Sequence, residues 1–454
     1  MKSTKVAVLV TTIFLSLNLL PSASLAMDVS FERDPRLALV YLNVAIRAGS
    51  VTDPDQKTGL TNFMGEMLLR GTKARSKEQL DLAIDQMGAE LAVETRAEAM
   101  ILRGAVLASQ LEPFLALVSE VLTQPTFPDT EVRKLKSEIS SQILAELGND
   151  ASLAVRQFTR FLFQDHPYGR PIVGTIREVG SLTRDDLVAH YDKIVRDNLL
   201  LVIGTGDAEE DLLQKWSEGL AQARPAEAKR ERVMVAAPEN AAVRRLLLID
   251  KPDRTQTQIL LGQIGIRLTD DLYFPLYVGN HAFGGRSFSA RLMQEIRVKR
   301  GWSYGATSSF RAGLQPRSWH VHLFPASKNS PEALELTLGL IGKLKADGIK
   351  QEEFDFARTS LMNGAGFMYD TPAKRVENDL LEKTLDLPEG FMKSYAGRIS
   401  RISLEDVNSA LRKFLHTDKL AIAVLGTAKD LKAPLAEAAK IPENRVLVKP
   451  YTEE

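Results

Sequence analysis

The chain of 454 residues repeats itself, and this constrains its fold more than any other feature. The segment SLTRDDLVAHYDKIVRDNLLLVIGT, starting at Ser181, is echoed by SLEDVNSALRKFLHTDKLAIAVLGT, starting at Ser403. Each opens on serine, leucine and acids, the pattern of a helix start. Each runs on as an amphipathic helix and closes as a short apolar strand ending in Gly-Thr. Earlier in each half a strand is predicted, over Leu37 to Ser50 and over Thr257 to Asp270. Long helix pairs follow: LEPFLALVSEVL with EVRKLKSEISSQILAEL, then PEALELTLGLIGKL with EEFDFARTSLMNGAGFM. The expected fold is α+β, with two homologous α/β sandwich domains in a clam-shell arrangement. In each domain helices stack on one face of a mainly antiparallel sheet. The domains are read as 27–220 and 244–454, and the Ala-, Pro- and charge-rich stretch 221–243 as a linker.

Lys+Arg and Asp+Glu both number 58, so the chain lacks the electrostatic footprint of a nucleic-acid binder. The same balance gives no reason to expect an acidic membrane surface as partner. Cysteine is absent, which excludes disulfides, thiolate metal sites and cysteine nucleophiles. At the N-terminus Lys2 and Lys5 precede an apolar run from Val6 to Leu20 and a small-residue end, Ser24-Leu25-Ala26. That order reads as a cleaved signal peptide over 1–26. The run is shorter than the roughly 20 residues a spanning helix needs. The mature chain is expected to start near Met27 and to be soluble, periplasmic or secreted, without a membrane anchor.

The segment TGLTNFMGEMLLRGTKARS, Thr58 to Ser76, carries a specific pattern. It is similar to the active-site helix of the insulinase/pitrilysin family, the inverted-zincin metallopeptidases. In that family Gly-Leu-Ala leads into His-x-x-Glu-His and then Met, and Gly-Thr closes the helix. Gly59-Leu60, Phe63, Met67 and Gly71-Thr72 match this frame. The resemblance places the zinc ligands at Asn62 and Glu66 and the general base at Gly65. Two histidines four apart share a helix face and can reach one zinc. A glutamate between them can take a proton from zinc-bound water. An amide, a bare backbone and one carboxylate replace neither function. The family's third ligand aligns with Gln142, flanked a turn away by Glu138 and Glu146. The edge-strand Asn that holds substrate in the family aligns with Ala92, in GAELAVETR. The chain itself is therefore expected to hold no zinc and no other cofactor.

The second half keeps more of the resemblance. FGGRSFSARLMQEIRVKRGWSYGATSSF, Phe283 to Phe310, resembles the family's C-terminal signature and brings Arg297 and Tyr304 with it. The resemblance implies that these two side chains hydrogen-bond carbonyl oxygens of a bound peptide. Guanidinium and phenol are suited to that work, since both donate and both hold position. In the family, zinc and the Arg/Tyr donors can sit on different subunits, as in the mitochondrial processing peptidase and some bacterial paired peptidases. The implied function is a non-zinc, substrate-binding subunit of a heterodimeric zinc metallopeptidase, with zinc in a homologous partner. Its peptide substrate would be held as an added strand. The alternative is a catalytically inactive peptide-binding or scaffold protein of the same fold. His320 and His322 share a strand face but have no third ligand nearby, so they read as polar sheet face. His166 reads as structural, and His190, His281 and His416 are scattered.

Overall fold

The computed structural model describes residues 27–36, 38–196, 200–223, 232–285 and 287–453. The leader read over 1–26 and residues 224–231 of the linker lie outside them. The described strands are β1 (Asp28–Arg33), β2 (Leu39–Ile46), β3 (Glu90–Thr95), β4 (Met100–Leu107) and β5 (Leu200–Gly206) in the first half. The second half holds β6 (Arg245–Asp250), β7 (Gln258–Ile264), β8 (Ser303–Phe310), β9 (Ser318–Pro325), β10 (Ala421–Gly426) and β11 (Val446–Pro450). Helices α1 (Leu60–Met67), α2 (Lys77–Gln86), α3 (Leu111–Thr123), α4 (Asp129–Gly148), α5 (Asp150–Phe163), α6 (Ile176–Ser181), α7 (Arg184–Tyr191) and α8 (Glu210–Ala223) belong to the first half. Helices α9 (Tyr273–Gly284), α10 (Ser330–Asp347), α11 (Gln351–Gly364), α12 (Pro372–Thr384), α13 (Tyr395–Ser400), α14 (Leu404–Phe414) and α15 (Ala428–Ala439) belong to the second.

The repeat is visible in the strand orders. The first sheet runs β1-β5-β2-β4-β3 and the second β6-β10-β7-β9-β8, with β11 added beside β6. Among the described strands only the pairings β1–β5, β6–β10 and β6–β11 are parallel. The repeated helices are α7 and α14, and both open on a capping box, Thr183 with Asp186 and Ser403 with Asp406. The cap of the first is thus Thr183, two residues beyond the serine with which the aligned segments begin. Helix α8 extends to Ala223, into the segment read as a linker.

Strand alternation decides what each sheet face meets. Val40, Leu42, Val44 and Ile46 of β2 enter a core with α1, α3, α4 and α7. The opposite face, with Ala45, Ile101, Leu201 and Ile203, is covered by Val376 and Leu380 of α12, a helix from the other half. The second sheet mirrors this. Leu246, Leu248, Ile259 and Leu261 face α9, α10, α14 and α15. Leu247, Ile249, Leu260, Ala421, Ala423 and Leu425 meet Leu153, Ala154, Phe158 and Leu162 of α5, from the first half. Expecting helices on one face of each sheet therefore described half of the arrangement. Each half lends one helix to the other's outer face, and small residues such as Ala45 and Ala423 let that helix approach closely. Ion pairs reinforce the α12 seam: Lys383 with Asp28 at 2.9 Å, and Glu377 with both Arg96 at 2.7 Å and Arg103 at 2.8 Å. Among the described residues no helix is long and apolar enough to cross a membrane.

Candidate functional site

Helix α1 is started by a carboxylate from outside it. The Asp53 side chain accepts from the backbone N–H of Gly59 and of Thr61, both at 2.8 Å, and from the Thr61 hydroxyl at 2.6 Å. Gly59 sits in the left-handed region, φ 92°, and an added Cβ would lie 2.8 Å from Gly174 Cα. Only glycine satisfies both the conformation and the contact. The Thr61 oxygen lies 2.8 Å from His190 Nε2. Because Thr61 donates to Asp53, His190 Nε2–H is the donor in this contact.

All three side chains are buried. Burial pushes the Asp53 carboxyl up to about 6 and lowers His190 to about 4. His320, on β9, is lowered to about 3 by its burial. A histidine held neutral in the fold costs stability as pH falls from 6.5 toward its folded value, by up to about 1.4 kcal/mol per pH unit. Asp53 has the opposite sign, favouring the fold as pH falls from about 6 to 3.8. Burial also lowers His281 and His322 and raises Glu66, so with four histidines against two carboxyls the urea midpoint should drop as pH is lowered from 6.5 to 4. A midpoint that stays level or rises over that range would refute this assignment of buried neutral rings.

The positions aligned with the zinc motif lie on α1 and do not fit zinc. Asn62 Nδ2 donates to Glu66 Oε1 at 3.0 Å, so one residue's amide occupies the other's carboxylate. Burial raises the Glu66 carboxyl. A Cβ on Gly65 would stand 2.7 Å from Met100 Sδ and 2.9 Å from Val93 Cγ1. The space a general base would enter is thus filled by two core side chains from β3 and β4. On α4, Glu138 is held by Arg70, which also lies 3.5 Å from Glu131. Gln142 is exposed one turn on, in the wall of a cavity it shares with Glu146. Ala92 is exposed on β3, the edge strand of the first sheet. Among the described residues, no three His, Cys, Asp or Glu side chains form a group able to hold a metal ion. His320 contacts Ser318 Oγ at 3.2 Å, His322 contacts Gln258 Oε1 at 2.9 Å, and His166 Nε2 lies 2.8 Å from the Ala236 carbonyl.

Arg297 and Tyr304 are brought together on the second half. Gly284 ends α9 against β8, and a Cβ there would meet the Ser308 backbone nitrogen at 2.6 Å. A π-helical turn, Met293–Val298, carries Arg297, and Gly301, φ 63°, turns the chain into β8. The Arg297 guanidinium lies over the Tyr304 ring at 4.0 Å and over the Phe288 ring at 4.6 Å. Tyr304 is 75% exposed, on the edge strand of the second sheet. The structure thus forms two separate pairs, Asn62 with Glu66 on one half and Arg297 with Tyr304 on the other. Sequence reading did not single out Phe288, although it stands inside the quoted motif. Nor did it single out Met100, Val93 or the Asp53–Thr61–His190 chain.

Comparison with known proteins agrees with this geometry. The family model described as insulinase (peptidase family M16) matches residues 28–176, and the peptidase M16 inactive domain matches 181–361. A Bacillus subtilis protein described as the uncharacterized zinc protease YmxG is 22% identical over 414 residues, covering 89% of this chain and 97% of that protein. The Helicobacter pylori protein described as the non-peptidase homolog YmxG is 21% identical, covering 89% of this chain and 92% of its own. A crystal structure of a peptidase M16 inactive domain from Pseudomonas fluorescens superposes with a TM-score of 0.81 at 22% identity. It spans 88% of this chain and 96% of that one. With family matches in both halves and one strand order in both sheets, the chain belongs to the insulinase family, M16.

Proposed function

We propose that this chain is the non-zinc, substrate-binding subunit of a heterodimeric zinc metallopeptidase that acts on peptides outside the inner membrane. One contrast carries the reading: the base position is packed shut by Met100 and Val93, while Arg297 stays paired with a solvent-facing Tyr304. An exposed tyrosine stacked on a guanidinium contributes little to a core, so its use lies at the surface. In this reading Arg297 and Tyr304 donate hydrogen bonds to peptide carbonyls, and zinc belongs to a homologous partner. Export follows from the leader at 1–26.

The test is reconstitution. Peptidase activity should appear on mixing with a zinc-bearing homologue, where neither chain is active alone. Arg297→Ala or Tyr304→Phe should then lower turnover on the order of 10²-fold, the cost of one oxyanion donor. Full activity of the partner by itself, unchanged by this chain, defeats the proposal. The second reading, an inactive peptide-binding or scaffold protein, draws support from the refilled base position. It predicts that both substitutions leave assembly and phenotype intact.

A further inference from the structure

Phe288 is a large apolar side chain left 58% exposed, between the end of α9 and the π-helical turn that carries Arg297. From there it adds little to a core. The Arg297 guanidinium lies 4.6 Å from the centre of its ring and 4.0 Å from that of Tyr304. Among the described residues the Arg297 side chain has no hydrogen bond and no ion pair. Its charged neighbours are paired. Arg291 meets Glu353 at 2.6 Å. Glu295, the carboxylate of the same turn as Arg297, is taken by Lys299 at 2.5 Å and by Arg300 at 2.9 Å.

The two ways of holding a guanidinium differ in what they leave over. A carboxylate grips the N–H edge and uses up donors. An aromatic face grips the plane of the group, and the five N–H donors, which point outward in that plane, stay unspent. Without such a hold the rotamer freedom of a long side chain scatters the donors. One exposed ring favours the stacked position only about two- to fivefold, so a second ring matters. Tyr304 has a phenol of its own to donate. Phe288 has no polar atom in its side chain, so what it contributes to a polar ligand passes through Arg297.

We propose that Phe288 is a positioning residue: with Tyr304 it fixes the Arg297 guanidinium by its face, so that the N–H edge meets a carbonyl oxygen of the bound peptide. The inference rests on the peptide-binding reading above and adds to it the side chain that aims its cation.

The first measurement needs neither partner nor peptide. The full mature chain is labelled with nitrogen-15 arginine, and the Arg297 Nε–H resonance is identified as the one that Arg297→Lys removes. A proton held against ring faces is shifted upfield by their ring currents. Phe288→Ala and Phe288→Leu should each lose part of that shift, and Phe288→Tyr should keep it. The second measurement uses the chain reconstituted with a zinc-bearing homologue. Phe288→Ala should lower kcat and kcat/KM together, about tenfold, against the order of 10²-fold for Arg297→Ala. Phe288→Tyr should restore turnover, and Phe288→Leu, which keeps apolar bulk without a ring, should not. Because Phe288 acts through Arg297, the double variant Phe288→Ala/Arg297→Ala should be no slower than Arg297→Ala alone. The proposal is overturned if the resonance stays in place in Phe288→Ala, if leucine serves as well as tyrosine, or if the two losses multiply. Should the parent chain give no activity with its partner, the peptidase reading falls, and the resonance decides by itself whether Phe288 holds Arg297.

Discussion

The triple substitution Asn62→His, Gly65→Glu and Glu66→His is expected to leave the chain without stoichiometric zinc and markedly less stable. Two imidazoles four apart on α1 would share a face, so ligand spacing alone predicts the opposite. The obstacle is position 65. A side chain there starts 2.7 Å from Met100 Sδ and 2.9 Å from Val93 Cγ1, and Met100 is fully buried. A glutamate must displace the Met100 side chain from the core and place a carboxylate among apolar groups. Overpacking and burial of an unpaired polar group together should cost on the order of 3 kcal/mol or more for Gly65→Glu alone. Trimming the obstacle with Met100→Ala does not come free, because a buried methionine truncated to alanine costs about 2–5 kcal/mol. Thermal unfolding and metal content after dialysis check both parts. One tightly bound zinc per chain with an unchanged midpoint would mean that the site was only mutated and never refilled.

Phe158→Ala is expected to lower stability by about 3–5 kcal/mol, a typical cost for a buried aromatic. The loss should appear in one cooperative transition that includes both halves. Phe158 is 1% exposed on α5 of the first half, but the core it fills belongs to the sheet of the second. For the same reason the fragment 27–223 should not stay soluble alone. Without α12 it would expose Ala45, Ile101, Leu201 and Ile203, an apolar sheet face of the kind that drives aggregation. Co-expression of the two fragments should restore soluble material that co-purifies. Sedimentation and circular dichroism of the fragments, singly and together, decide the matter. Two monomeric fragments that each unfold cooperatively would show that the exchanged helices are dispensable.

Much of this protein was readable before any coordinates. The two-fold repeat, the helices at 111–123 and 129–148, and the Gly-Thr-ended strands follow from period and caps, which are local properties of the chain. The poverty of the zinc motif was equally plain, because a side chain's donor atoms are known from its identity. Arg297 and Tyr304 were found by motif, and their stacking follows from one short loop.

What the sequence could not determine depends on residues far apart in the chain meeting in space. A period of two says that β2 has two faces, one wholly apolar (Val40, Leu42, Val44, Ile46) and one mixed (Leu39, Tyr41, Asn43, Ala45). It does not say that Val376 and Leu380, more than three hundred residues later, cover one of them. Nor does Gly65 announce that a methionine sulfur from β4 has taken the room beside it. Arg317 enters a wall built by α4 and α5 only because the halves are interlocked. Chemistry and local pattern are written residue by residue. Which faces close on each other is set by the packing of the whole chain, and that packing decides what the residues at the old ligand positions can still do.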